Sequence, residues 1–137
     1  MDKKWHEDIW DMHFQFGVHQ WIMENLHDKD KMSKFLEFRM NFLREELKET
    51  QTAIDNKDPQ EIVDGLIDLC VVAIGTLDAF GIHPQEAWDT VHKANMSKQP
   101  GVKESRPNPL GLPDLIKPEG WEGPNHDDNI GFFAHTL

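Results

Sequence analysis

The chain has 137 residues, and 25 acidic side chains against 14 lysines and arginines give it a net charge of −11 at pH 7. This length allows one domain with its own core, and the acidic balance argues against nucleic acid as the main partner. No apolar run is long enough to span a membrane, and the N-terminus lacks a signal-peptide core, so we predict a cytoplasmic protein without a membrane partner. A single cysteine excludes an internal disulfide.

Apolar residues at helical spacing predict a first helix over residues 5–16, which Gly17 ends. A second helical piece is indicated within residues 18–30. Residues 32–55 are predicted to form a long helix. Its apolar face is wider than one neighbouring helix requires, which favours a bundle core and an oligomer interface.

A further helix is predicted over residues 59–79, with Asp58 as its N-cap and Pro59 at its first position. This segment is apolar nearly all round, which predicts that the helix and Cys70 within it are buried. Gly81 is predicted to stop the helix.

Gly65 and Gly75 would let another helix approach this segment closely. The next helix is predicted over residues 84–97, whereas residues 99–137 hold six of the eight prolines and are predicted to be irregular. We therefore predict an all-α fold, a bundle of four or five helices with an irregular C-terminal tail. Residues 1–98 would form the helical catalytic domain, and the basic tail would pack on that same domain.

Acidic residues recur at helical spacing on both sides of the break near residue 57. Glu46 and Glu49 are three positions apart, as are Glu61 and Asp64, so each pair shares a helix face. A short break makes the two helices antiparallel neighbours, so the acidic faces can converge. Asp64 and Asp68 lie within an apolar run, where an unpaired carboxylate is costly. A bound cation would neutralise the cluster, and oxygen ligands favour Mg²⁺ or Mn²⁺.

Other interpretations of these residues stay open. The acids of the long helix could form a solvated face shared with Arg44 and Lys48, and Glu61 fits a capping box. Glu24 and His27 form one Glu-x-x-His pair, but a di-iron carboxylate bundle needs two. The sequence offers no second pair.

Glu-Glu-x-x-Glu at 45–49, followed by Glu-x-x-Asp at 61–64, resembles the signature of the all-α nucleoside triphosphate pyrophosphohydrolases. That superfamily includes MazG-like enzymes, dimeric dUTPases and phosphoribosyl-ATP pyrophosphatases. Lys-Pro-Glu-Gly-Trp at 117–121 resembles the tail of its short, single-domain MazG-like members.

The resemblance implies that a nucleoside triphosphate is hydrolysed between its α and β phosphates to a monophosphate and pyrophosphate. The cofactor would be Mg²⁺, with Mn²⁺ as a substitute, held by Glu46, Glu49, Glu61 and Asp64. Glu45 would act as general base or bridging ligand. Asp68 would be a second catalytic residue that orients a ligand or a lysine.

Two further motifs imply substrate contacts. His-x-x-Phe-Gly at 13–17 resembles a family segment that approaches the nucleotide base, which makes His13 and Phe16 candidates, although aromatic residues here also fit a core. Asn-x-x-Lys at 95–98 resembles the end of the last core helix, although a helix dipole alone favours a lysine there. The predicted substrate-binding residues of the helix end and the tail are Lys93, Asn95, Lys98 and Arg106.

The resemblance leaves the base undecided between dUTP and a purine such as dGTP. It implies a homodimer or homotetramer. The alternative function is that of a non-enzymatic helical interaction protein whose acids are solvated and whose apolar face binds a partner.

Overall fold

The structure is a computed structural model that describes residues 4–106, 109–111 and 114–137. The described residues form the helices α1 (Trp5–Gln15), α2 (Val18–Asn25), α3 (Lys29–Asp55), α4 (Pro59–Ala79), α5 (Pro84–Met96) and α6 (Phe133–Thr136). Strands β1 (Gln99–Gly101) and β2 (Asp114–Ile116) pair antiparallel. The predicted all-α bundle with a C-terminal tail is confirmed. Residues 107, 108, 112 and 113 of the predicted tail lie outside the described part of the chain.

The chain divides into two compact units. The first comprises Met1–Pro84 and Ile130–Leu137, and therefore holds α1 to α4 and α6. The second comprises Gln85–Asn129, with most of α5 and the strand pair. The domain boundary predicted at residue 98 stays a prediction.

The break between α3 and α4 forms as its local sequence predicts. The side chain of Asp58 accepts a hydrogen bond of 3.2 Å from the backbone N–H of Glu61, and Pro59 occupies the first turn of α4. Lys57 takes a positive φ of 55° just before this cap. The connection is therefore short, and α3 and α4 pack along each other.

Two glycines of α4 allow this close packing, as predicted. A Cβ on Gly65 would collide with the Thr50 hydroxyl of α3. A Cβ on Gly75 would lie 2.6 Å from Arg39 Nη2 and 3.0 Å from His13 Cε1. Any larger residue at these two positions would push α4 away from its neighbours.

The core of the first unit lies around the C-terminal end of α4. Phe80 and Met32 are fully buried there. The Phe133 ring stacks on Phe80 at a centroid distance of 4.4 Å, and the Phe132 N–H donates to the Phe80 carbonyl at 2.7 Å. The proline- and glycine-rich sequence predicts no helix in this stretch. The short helix α6 forms where two adjacent phenylalanines contact the end of α4.

The prediction that α4 is buried all round is wrong for its first half. Val63, Leu66 and Ile67 are 64%, 51% and 49% exposed, and Cys70 is exposed as well. The buried positions of α4 lie mainly in its second half, where α1 packs in addition to α3. Hydrophobic composition alone could not distinguish a face that meets its own chain from a face that does not.

Within the described residues, no single helix is long and apolar enough to cross a membrane, although α4 and α5 together meet the length and composition required of a broken span.

Candidate functional site

Five of the six acidic residues predicted from sequence, all except Glu61, come together between α3 and the first half of α4. Burial raises the pKa of Glu46, and the negative charges of Glu49, Asp68, Asp64 and Glu45 raise it further. These four carboxylates therefore lie close enough to repel the Glu46 carboxylate. Five acids from two helices therefore share one region, as the helical spacing predicts. We call Glu45, Glu46, Glu49, Asp64 and Asp68 the acidic cluster.

Glu46 is the least satisfied member of this group. Its Oε2 atom is shielded from solvent and has no hydrogen-bond partner among the described residues. A shielded carboxylate oxygen without a partner is costly. The neighbouring side chains supply negative charge and no donor to this atom, so a cation would relieve the cost.

The packing of α3 on α4 sets the position of the acidic cluster. Thr50 lies one turn after Glu46 and donates its hydroxyl to the Glu46 carbonyl at 2.7 Å. The same threonine contacts Gly65, which is next to Asp64 in the chain. A close approach of the two helices therefore lies beside the acids, and it holds their carboxylates on facing surfaces.

Glu61 differs from the other predicted metal ligands. It is exposed, and its backbone N–H belongs to the cap made by Asp58. It is not among the residues that raise the pKa of Glu46. Its role as a ligand stays a prediction.

A second cluster of titratable side chains joins α1, α2 and α4. His13 Nδ1 and His19 Nε2 each lie 2.8 Å from the same carboxylate oxygen, Oδ2 of Asp78. Burial alone raises the pKa of Asp78, but the hydrogen bonds from the two histidines outweigh it and lower that pKa below its usual value. Asp78 is therefore ionised, and both ring nitrogens act as donors.

The two clusters differ in how closely their ligand atoms approach. His13, His19 and Asp78 place one ligand atom each within 4.8 Å of one another, and no other trio of potential ligands in the described ranges does so. No three carboxylates of the acidic cluster bring their ligand atoms within that distance of one another. Mutual repulsion keeps like charges apart, so a cation would have to draw them in.

The two sequence-predicted substrate residues on α1 lie in different environments. His13 is only 4% exposed and bonds to Asp78, whereas Phe16 is 74% exposed. Near them, the rings of Trp10 and Phe14 stack at 5.3 Å, and both are at least half exposed.

The remaining predicted substrate residues lie in the second unit. Lys93 is exposed and Asn95 is half-buried. The Lys98 ammonium lies 5.2 Å from the centroid of the Trp121 ring, and Arg106 forms an ion pair of 2.6 Å with Asp114. Substrate contact by these four side chains stays a prediction.

His19 and Asp78 are not among the site residues predicted from sequence. His13 and His19 lie on either side of a helix break, and Asp78 is 59 residues further along. No spacing rule connects positions so far apart. The available signal was an aspartate near the end of an apolar helix, which predicts a partner without naming it.

Comparison with known proteins gives one family. The sequence model of the phosphoribosyl-ATP pyrophosphohydrolase family matches residues 18–95, more than half of the chain. No curated protein and no solved structure matches the chain. The matched range contains the whole acidic cluster and Asp78, and it begins after His13.

Proposed function

The chain belongs to the phosphoribosyl-ATP pyrophosphohydrolase family, hydrolases that act on a phosphoric anhydride of a nucleotide, and we propose that it is a divalent-metal-dependent nucleoside triphosphate pyrophosphohydrolase. The reaction would convert a nucleoside triphosphate and water to the monophosphate and pyrophosphate. The substrate would be a deoxynucleotide, dUTP or dGTP.

The observation that carries this proposal is the unpartnered Oε2 atom of Glu46 among four other carboxylates. An all-oxygen set of this kind fits a hard dication, Mg²⁺ or Mn²⁺. Glu46, Glu49 and Asp64 would hold it, with Glu61 as the fourth predicted ligand. When bound, the cation would supply Lewis-acid chemistry at the phosphates and activate a water.

Two acids beside these ligands would accept a proton from the attacking water and orient a metal ligand. Glu45 is next to Glu46 and would accept the proton of the attacking water as general base, or bridge as a ligand. Asp68 lies one turn after Asp64 on α4, where it would orient a ligand through a hydrogen bond. Both carboxylates belong to the group that raises the pKa of Glu46.

Exposed aromatic rings near the N-terminus support nucleotide binding. Trp10 and Phe14 form a stacked pair that is open to solvent, and Phe16 is more exposed still. A nucleobase can stack on such rings, and stacking is tolerant of base identity. The base contacts would come from Phe16 and His13. Phosphate contact by Lys93, Asn95, Lys98 and Arg106 stays a prediction.

An apolar stripe on α4 supports a homodimer or homotetramer. Leu66 and Ile67 lie three and four positions after Val63, and Cys70 lies four and three positions after them. All four residues are exposed. Such a stripe on a helix is typical of an interface. Light scattering after size-exclusion chromatography should give a mass of two or four chains, and Leu66→Glu should give a single chain.

The test of the activity is pyrophosphate release from the ribo- and deoxyribonucleoside triphosphates and phosphoribosyl-ATP, each with Mg²⁺ or Mn²⁺. Wild type should turn over a deoxynucleoside triphosphate only with the metal, and Glu49→Gln should lose that turnover. Glu37→Gln changes an exposed acid of the same helix and is the matched control. Turnover of phosphoribosyl-ATP alone would contradict the proposed substrate, and no turnover of any nucleotide would contradict the proposed enzyme.

A further inference from the structure

Beyond the acidic cluster, we propose that His13, His19 and Asp78 form a second metal site that binds Zn²⁺. The proposed chemistry at the phosphates does not require this site, and here His13 would act as a metal ligand in place of the base contact proposed above. Its ligand class is also different, because two imidazole nitrogens and one carboxylate oxygen select Zn²⁺ over Mg²⁺.

The three ligands come from three helices and meet at one point. His13 lies on α1, His19 on α2 and Asp78 on α4, and both ring nitrogens lie 2.8 Å from Asp78 Oδ2. Ligand atoms bound to one tetrahedral Zn²⁺ at about 2.0–2.2 Å lie about 3.3 Å from each other. Each contact would therefore open by about half an ångström when Zn²⁺ enters.

The surroundings hold the ligands in place. The His13 and Asp78 side chains are 5% and 8% exposed, and that of His19 is 21% exposed. The absence of a side chain at Gly75 leaves space for the His13 ring, because a Cβ at position 75 would lie 3.0 Å from His13 Cε1. Arg39 lies beside the same ring, and it donates to the Thr76 hydroxyl and the Val72 carbonyl. Three protein ligands with a more open side at His19 match a site that keeps one position for solvent.

Proton balance is simple at this site. Asp78 is ionised and accepts a hydrogen bond from each ring, so each coordinating nitrogen carries a proton before Zn²⁺ binds. A neutral imidazole can move that proton to its other ring nitrogen and then coordinate through the freed lone pair. Binding to the neutral histidines therefore releases no proton, whereas protonated histidines would each release one.

Co²⁺ serves as the probe, because its visible absorption reports nitrogen and oxygen coordination that Zn²⁺ does not show. The full-length protein is titrated with Co²⁺ in the presence of excess Mg²⁺, which would occupy the acidic cluster if that cluster is the hydrolase metal site. We expect one equivalent of Co²⁺ per chain with a visible spectrum, and one equivalent of Zn²⁺ should abolish that spectrum. The absence of a visible spectrum in wild type would overturn the proposal and leave a hydrogen-bonded His–Asp–His cluster without metal.

Three variants locate the signal. His19→Ala should reduce Co²⁺ affinity at least about 10-fold, and its partly exposed position makes it the variant that keeps the fold, which circular dichroism checks. His27→Ala, an exposed histidine of the same unit, should bind as wild type does. Glu49→Gln should also keep the spectrum, because its defect belongs to the proposed hydrolase site. Wild-type affinity in His19→Ala, or an equal loss in His27→Ala, would refute the assignment.

Discussion

Helix α4 carries aspartates in two settings with opposite electrostatic surroundings. Near its start, Asp64 and Asp68 join the acids of α3, and the pKa of Glu46 among them is raised by burial and by negative neighbours. Near its end, Asp78 accepts hydrogen bonds from two histidines, which lower its pKa despite burial. The charged neighbours that shift the pKa of Glu46 are all negative, whereas Asp78 is already satisfied by its own donors.

The difference shows that a carboxylate in an apolar helix does not by itself indicate a metal site. The partner on the neighbouring helix decides whether it repels or is neutralised. For the acidic cluster the facing residues are glutamates, so the free energy of binding a dication can include the relief of repulsion. For Asp78 the facing residues are histidines, so removal of the carboxylate leaves their donors unpaired.

Loss of one ligand from the acidic cluster should have the largest effect. We expect Glu46→Gln to lower kcat/KM for the preferred nucleotide by at least about 100-fold, because outer residues of metal sites already cost 10- to 100-fold when changed. Steady-state pyrophosphate release at saturating Mg²⁺ measures this. Glu37→Gln should retain wild-type activity, and an equal loss in both variants would show that the effect is not local.

Asp78→Asn should mainly affect stability. We expect the free energy of unfolding to fall by about 1–3 kcal/mol at pH 7, because the amide accepts more weakly from the two histidines than a carboxylate does. A carboxyl with a lowered folded pKa contributes stability above its unfolded pKa of about 3.9 and loses it as the pH falls through the folded value. Urea denaturation from pH 7 to pH 3 should show the gap between variant and wild type closing in acid. A gap that stays constant over this range would contradict the ionised Asp78.

Gly65→Ala should disturb the acidic cluster through the helix packing. The new methyl group would collide with Thr50, so we expect a loss of about 1–3 kcal/mol in the free energy of unfolding. Nucleotide turnover should fall as well, because the two acidic surfaces would separate. Thr50→Ala in the same chain removes the hydroxyl that collides and should recover part of the stability, whereas no recovery would place the strain elsewhere.

The smallest expected effect is the change in melting temperature that Glu46→Gln causes in the absence of metal. Because the folded pKa of Glu46 is raised, its charged form costs stability above that pKa, and the cost disappears below the unfolded value of about 4.3. In a chelating buffer, Glu46→Gln should therefore melt slightly higher than wild type at pH 7 and at the same temperature near pH 4. A variant that melts lower at pH 7 would show that the carboxylate has a stabilising partner.

Local sequence rules anticipated much of this architecture. Asp58 and Pro59 begin α4 as predicted, since a cap depends on adjacent residues, and the acids of α3 and α4 converge because three-residue spacing fixes their helix faces. Contacts between distant segments were not anticipated. The cluster at Asp78 requires three helices to meet, and α6 depends on the stacking of Phe133 on Phe80.

Mn²⁺ binding measured by electron paramagnetic resonance tests the central claim most directly, because it reports the cation without requiring the right nucleotide. Wild type and Glu37→Gln should bind Mn²⁺ with the same affinity, Mg²⁺ should compete, and Glu46→Gln should bind at least about 10-fold more weakly. Equal Mn²⁺ affinity in Glu46→Gln and wild type would contradict the assignment of the acidic cluster as the metal centre.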